Sequence, residues 1–346
     1  MWNARAPSMS EHHIEIVRLG AVDAHPNADA LDITLVHGGY PCIVKRGQFQ
    51  AGDLAVYIPE DSLVPTDRAE FAFLASKAKA DGRARIKAMR LRGVFSMGLL
   101  IAAPEGVEEG QDVAVGYGIT RYEPPETSGG WGPGGSMTAG RTVAPPSPEP
   151  PVYDLEPLRK YHRLFAEGEE VVLTEKLHGA NGRCFVADDG SVHIGSHKRW
   201  VDPESPSEWG DALKRAIPAW PPGWRGFCVY FEVIGKQGGF PYGREKGGSA
   251  SIRVFDVLDV RTRRWFDHDA LVGFCLDTGL PMVPVVYRGP WLNLETHAPL
   301  AEGPSTLDAA HIREGFVARP VCERLDLRAG RVVLKFVGQG YLLGKG

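Results

Sequence analysis

Residues 171–183 read VVLTEKLHGANGR, a β-branched run that breaks just after Lys176 into the turn-like Leu-His-Gly-Ala-Asn. Val171, Val172 and Thr174 favour an extended strand, while Gly179 and Asn181 favour an abrupt change of direction. The spacing therefore predicts a strand whose last residue, Lys176, faces a cleft. Lys-Leu-His-Gly alone is a pattern that chance produces often, so its weight depends on the segments later in the chain.

Those later segments form an ordered set of strand ends that carry charge. Tyr230-Phe231-Glu232-Val233-Ile234-Gly235 sets a carboxylate at one, and Val254-Phe255-Asp256-Val257 sets an aromatic inside a strand. Glu314-Gly315-Phe316-Val317 brings a second carboxylate, and Arg331-Val332-Val333-Leu334-Lys335-Phe336 closes the series with a second lysine. A lysine of ordinary pKa, about 10.4, is almost wholly protonated at neutral pH and is a poor nucleophile. A neighbouring cation such as Lys335, or a bound metal, would lower that pKa, and Lys335 would equally serve to neutralise a phosphate under attack. Glu314 is a hard oxygen donor of the type that Mg²⁺ and Mn²⁺ take, and Phe255 offers a flat apolar face to a base.

This series resembles the covalent nucleotidyltransferase superfamily of polynucleotide ligases and capping enzymes, most closely its RNA ligases, over residues 155–346. The resemblance implies that Lys176 attacks the α-phosphate of ATP, forming lysyl-AMP. AMP then passes to a 5′-phosphate on RNA, and a 3′-hydroxyl displaces it. It implies that Glu175 contacts the adenine, that His178 lies near the phosphates, and that Glu232 binds ribose hydroxyls. Glu314 then serves Mg²⁺ or Mn²⁺, and Asn181 serves the metal and the strand-joining steps. Arg199, in GSHKRW, resembles the arginine that meets the ribose or the 5′-phosphate, with Lys198 beside it on the nucleic acid. One departure stands out: family members commonly carry Lys-x-Lys in the last motif, whereas Lys335-Phe336-Val337 has valine at the third position. Lys198 or Arg199 would have to replace the missing cation, or one step would be slowed. The C-terminal GQGYLLGKG looks superficially like a phosphate loop but lacks the first glycine and the hydroxyl residue after Gly-Lys, and is rejected as one.

The rest of the chain frames that series. With 346 residues there is room for two domains, and no apolar run reaches membrane-spanning length. The first residues, MWNARAPSMSEHH, lack the apolar core of a secretory signal, so a cytoplasmic protein is expected. Five scattered cysteines, with no C-x-x-C pair, read as reduced thiols rather than a zinc site or a disulfide framework. A formal net charge of −4 excludes nucleic-acid binding by the whole surface but not by a patch. KAKADGRARIKAMRLR, residues 77–92, is such a patch, with seven cations against the single Asp81. Arg83 with Arg85, and Arg90 with Arg92, alternate so that each pair shares one strand face, and with Lys87 they read as a phosphate-binding surface.

The chain divides into four regions: a tail (1–11), a barrel-like run of short strands (12–120), a Pro/Gly-rich linker (121–154) and the nucleotidyltransferase region (155–346). The fold class expected is an N-terminal all-β OB-like barrel plus a C-terminal α+β domain with antiparallel sheets. VDAHPNADAL, residues 22–31, resembles the opening of OB domains that bind tRNA. In DLEPLRKYHRLFAEGEE, Leu158, Tyr161 and Leu164 recur at helical spacing before Gly168, and HDALVGFCLDT reads as a second helix. An OB-like domain placed first, with nothing appended after the Lys335 motif, resembles the nick-sealing RNA ligase family typified by the Deinococcus radiodurans enzyme. The implied partner is a nicked RNA-containing duplex with 3′-hydroxyl and 5′-phosphate ends, with no obligate protein partner and no membrane. Two alternatives stand beside it: a GTP-dependent capping-type guanylyltransferase, and a catalytically inactive RNA- or tRNA-binding protein.

Overall fold

The computed structural model describes residues 12–123, 140–217, 222–235 and 250–344. The expected tail and residues 124–139 of the expected linker lie outside the described residues. The described residues group into two compact units, one holding 12–123 with 157–162 and 342–344, the other 140–156 with 163–341.

The N-terminal unit is built of short antiparallel strands. Leu54–Ile58 lies between Glu15–Arg18 and Leu99–Ala102, and Val22–Ala24, Leu31–Val36 and Tyr40–Lys45 form a meander. The alternation of the Leu54–Ile58 strand decides where the cores lie. Ala55 and Tyr57 enter one apolar cluster with Val17, Val36 and Leu100, while Val56 and Ile58 enter another with Ile14, Ile16 and Phe71. The HPNAD stretch is a turn that braces a neighbour. His25 Nε2 lies 3.2 Å from the Leu91 carbonyl, and the Asn27 side-chain amide donates to the Arg92 carbonyl at 3.0 Å. Both carbonyls belong to the Met89–Ser96 hairpin, whose tip residues Arg92 and Gly93 have φ of +46° and +88°.

The C-terminal unit carries two antiparallel sheets. The larger has seven strands in the order Thr142–Val143, Trp200–Val201, Val192–Ser196, Ala180–Val186, Phe227–Ile234, Ser251–Asp259, Arg264–Trp265. In the other, Glu170–Lys176 is flanked by Val285–Pro290 and Gly315–Pro320, and Leu334–Val337 pairs with Gly315–Pro320. The two expected helices form. Leu158–Tyr161 is helical and continues into a short 3₁₀ turn, and His268–Thr278 ends at Gly279 in the left-handed region. Helices Glu208–Ala216 and His268–Thr278 seal the larger sheet, with Leu213 and Leu271 buried against Val229, Phe231 and Val254. No described helix is long and apolar enough to cross a membrane.

Two boundaries differ from those read in the sequence. Residues 140–154 are not a free linker. Thr142–Val143 pairs with Trp200–Val201, Arg183 donates to the Pro150 carbonyl, and the Tyr230 hydroxyl donates to the Pro151 carbonyl. Prolines have no N–H to satisfy, so their carbonyls are free to accept from buried donors on the sheet. The segment is ordered by this strand pairing, by its neighbours' side chains and, at its end, by Tyr153, which is buried with Phe185, Tyr230 and Leu258. The Leu158–Tyr161 helix groups with the N-terminal unit, where Arg159 donates to the Gly39 carbonyl and Lys160 pairs with Glu15. A Cβ at Gly39 would lie 2.3 Å from the Arg159 carbonyl oxygen, so the helix seats there only because residue 39 has no side chain.

Candidate active site

Lys176 ends its strand where expected, and its Nζ donates to Glu314 Oε1 at 2.7 Å. Glu314 is brought in by the strand behind it: Gly315 pairs with both Lys176 and Val337, and a Cβ there would sit 2.0 Å from the Phe336 carbonyl oxygen. Only glycine allows the strands to close that tightly. His178 Nδ1 lies 3.8 Å from Glu314 Oε2 and 2.6 Å from the Tyr341 hydroxyl. Burial works to lower the Lys176 pKa, but Glu314, then Glu232, and the hydrogen bond outweigh it, so the ammonium lies above its ordinary value. In this state Lys176 is a charged partner of Glu314 rather than a free amine.

Glu232 faces Asn181 across neighbouring antiparallel strands. Burial pushes the Glu232 carboxyl up to about 8, with Glu314 adding to the rise and Lys176 and the Gly179 N–H opposing it. Gly179 is required by closeness: a Cβ would meet the Val233 carbonyl oxygen at 2.4 Å and Glu232 Cγ at 2.6 Å. Asn181 Oδ1 is buried with no hydrogen-bond partner. An orphaned amide oxygen beside a buried carboxyl is a donor set that would suit a hard cation, which would displace the carboxyl proton and take phosphate and water oxygens to complete its shell. Among the described residues, no group of three or more His, Cys, Asp or Glu is arranged to hold a metal by itself.

These residues border a cavity of about 300 Å³ lined by both sheets. Lys176, Glu175, Asn181, Glu232, Phe255 and Lys335 all line it. Phe255 packs beside Leu177 and Val283 to make an apolar wall, with the Tyr153 ring tilted against it at 4.8 Å between centroids. The Glu175 carboxylate is held from behind by the Thr306 N–H at 2.8 Å and by Arg313 at 3.7 Å. His178 and Glu314 flank Lys176 without lining the cavity. Lys198 and Arg199 do not reach it: both are exposed on the turn between Val192–Ser196 and Trp200–Val201. The turn presents His197 instead, 3.0 Å from Asp154. That hydrogen bond, against the opposing effect of burial, holds the Asp154 carboxyl below its ordinary range, and His197, Lys335 and Lys198 contribute charge to the same end.

Several lining residues carry no signal in the sequence. Tyr153 and Asp154 come from the stretch read as linker and Leu155 from the residue just after it, and His268 and Arg319 come from a helix start and a strand otherwise read as packing. Arg319 and Arg331 converge on the fully buried Asp256, at 3.4 and 2.8 Å, and the Tyr153 hydroxyl donates to the same carboxylate at 2.7 Å. Burial works to raise the Asp256 carboxyl, but the two guanidiniums and the phenol together lower it. This network fixes one wall of the cavity. No local pattern in the sequence points to it, because its members are brought together from residues 153, 256, 319 and 331.

The basic run of the N-terminal unit separates into two kinds of residue. Arg83 donates to the Gly118 carbonyl at 2.9 Å, and Arg85 binds Asp61 and lies 3.9 Å over the Tyr122 ring. These two are bound internally, not presented as a phosphate-binding face. Lys87, Arg90 and Arg92 are exposed, the last two on the braced hairpin. Alternation places Arg83 and Arg85 on one face correctly, but that face meets the protein's own carbonyls and Asp61.

An OB-fold domain followed by a nucleotidyltransferase domain with antiparallel sheets is the class of protein that this fold and site define. Residues 169–337 match the family model described as RNA ligase, and residues 13–103 match one described as the PHA02142 OB-fold domain. Solved structures of the Naegleria gruberi RNA ligase share the fold. A lysine-to-alanine variant with ATP and manganese has a TM-score of 0.77 at 21% identity, covering 96% of this chain and 98% of that one. The complex with pyrophosphate has a TM-score of 0.76 at 22% identity, covering 96% and 98%. A glutamate-to-alanine variant with AMP and manganese has a TM-score of 0.77 at 22% identity, covering 97% and 99%. No curated protein matches the chain.

Proposed function

We propose that the protein is an ATP-dependent RNA ligase that seals 3′-hydroxyl/5′-phosphate nicks in RNA-containing duplexes, as a repair enzyme of the cytoplasm. The observation that carries this reading is the Lys176–Glu314 pair, 2.7 Å apart beside a cavity shared with Glu232 and Lys335, within the segment that matches the RNA ligase family. ATP and a divalent cation are supported by the donor set and by the N. gruberi structures that hold ATP or AMP with manganese.

The chemistry is built from the residues. Phe255, Leu177 and Val283 provide an apolar wall for the base, and Lys335 a cation for the phosphates. Glu314, Glu232 and Asn181 are the residues that would hold Mg²⁺ or Mn²⁺, which when bound neutralises phosphate charge. Were Glu314 and Glu232 engaged by a cation, their charges would no longer offset the burial that works to lower the Lys176 pKa, and the ammonium would release its proton to solvent water. The amine nitrogen then bonds to the α-phosphorus as the bond to the bridging oxygen breaks, and pyrophosphate leaves with that electron pair. AMP passes next to the RNA 5′-phosphate, and the 3′-hydroxyl oxygen displaces AMP to make the phosphodiester. An A-form duplex presents shape and 2′-hydroxyls rather than a readable major groove, and Lys87, Arg90 and Arg92 form the surface proposed to meet its backbone.

Sealing is tested with a labelled nicked duplex carrying RNA on the 3′-hydroxyl side, supplied with ATP and Mg²⁺ or Mn²⁺. Sealed product that requires both the 5′-phosphate and the 3′-hydroxyl supports the reading. Adenylylated enzyme that leaves the nick open refutes the substrate assignment.

A further inference from the structure

The GQGYLLGKG stretch, unsuited to a phosphate loop, has a definite place beside Lys176. Gly338 N donates to the Glu314 carbonyl at 2.9 Å, and the next two N–H groups, of Gln339 and Gly340, donate to the Glu302 carboxylate at 2.6 and 3.0 Å. Glycine is needed at 338 and fits closely at 340. A Cβ at Gly338 would lie 2.8 Å from the Ala301 carbonyl oxygen, and one at Gly340 would lie 3.0 Å from Glu302 Oε2. The clasp delivers Tyr341, only 2% exposed, with its hydroxyl 2.6 Å from His178 Nδ1. His178 in turn lies 3.8 Å from Glu314, the carboxylate that holds the Lys176 amine.

We propose that Tyr341 is a positioning residue for the covalent step, fixing the His178 imidazole beside the Glu314–Lys176 pair through its hydroxyl. With the imidazole proton on Nδ1, the phenol oxygen accepts from it at 2.6 Å while Glu314 Oε2 lies 3.8 Å from the same nitrogen, which fixes the tautomer and removes the ring's freedom to flip. The chain Tyr341, His178, Glu314, Lys176 then keeps the carboxylate in one place as the lysine beside it turns from ammonium to amine. A tyrosine whose ring only filled space would not need its oxygen there.

This role rests on the ligase reading, and the test separates the two. Single-turnover lysyl-AMP formation is measured against ATP concentration for wild type, Tyr341→Phe, His178→Ala and the double variant, and imidazole ¹⁵N spectra of wild type and Tyr341→Phe are compared. Tyr341→Phe keeps the ring and is expected to slow the step at saturating ATP about five- to tenfold, the size of one hydrogen bond, with half-saturation unchanged. It is expected to add nothing further in the His178→Ala background and to change the His178 tautomer signals. A wild-type rate in Tyr341→Phe, or an equal loss with and without His178, overturns the role while leaving the ligase reading intact. No adduct from wild type overturns both.

Discussion

Replacing Glu232 with glutamine should make the ligand-free protein less sensitive to rising pH, and the size can be worked from the site. The carboxyl moves from an ordinary 4.5 to about 8 because burial penalises the charged form, with Glu314 reinforcing the rise. A group whose folded pKa is raised keeps its proton in the native state at pH values where the unfolded chain has lost it. Its favourable contribution is therefore present below the unfolded pKa and lost as pH climbs through the folded one. The slope is about 1.4 kcal/mol per pH unit at most, which gives about 4 kcal/mol between roughly pH 5 and pH 8 as an upper figure. Water in the cavity screens part of this, and about 2 kcal/mol is the practical expectation. Glutamine stands in for the neutral acid and cannot ionise. Urea unfolding of both proteins, free of metal and nucleotide, measures the difference at each pH while most other titrations cancel. Wild type should lose stability relative to Glu232→Gln by that amount across the window. A flat difference, or one with the opposite slope, would refute the claim that burial dominates at Glu232.

The geometry sets three further outcomes. Gly179→Ala forces a Cβ to within 2.4 Å of the Val233 carbonyl oxygen; a cost of about 1–3 kcal/mol is expected, seen as a lower Tm, together with slower adenylylation because Glu232 must shift. Asp256→Asn leaves Arg319 and Arg331 without their shared carboxylate; a loss of about 3–5 kcal/mol in chemical denaturation checks it, and a loss under about 1 kcal/mol would contradict it. Joint replacement of Arg90 and Arg92 by alanine should weaken nick binding and flatten its dependence on salt while lysyl-AMP formation stays intact; if adenylylation fails too, those arginines belong to folding or to the nucleotide site.

Much of the fold is written in local pattern. The β-branched run before Lys176, the turn glycine after it, and the helical spacing through Leu158 and Tyr161 each need only neighbouring residues to be read. Long-range partnership is less legible. Arg83 and Arg85 share a strand face as alternation predicts, but only the tertiary fold shows that Asp61 and the Gly118 carbonyl occupy that face. The proline-rich stretch before Tyr153 has the composition of a linker because its order comes from Arg183 and Tyr230, about 30 and 80 residues away in sequence. The candidate site divides the same way. Lys176, Glu232, Glu314, Phe255 and Lys335 are found by motif order, whereas His197, His268 and Arg319 enter through packing that no short motif encodes. Tyr341 lies in a stretch whose glycines invite a phosphate-loop reading, although their use is to let the backbone close on Glu302.

The most direct test of the central claim is intact mass of the purified protein after incubation with ATP or GTP and Mg²⁺ or Mn²⁺, with Lys176→Ala alongside and pre-existing adduct first discharged with pyrophosphate. The account predicts a covalent AMP adduct with ATP that is absent from Lys176→Ala. A GTP-only adduct would point to capping chemistry, and no adduct with either nucleotide would contradict a nucleophilic Lys176 altogether.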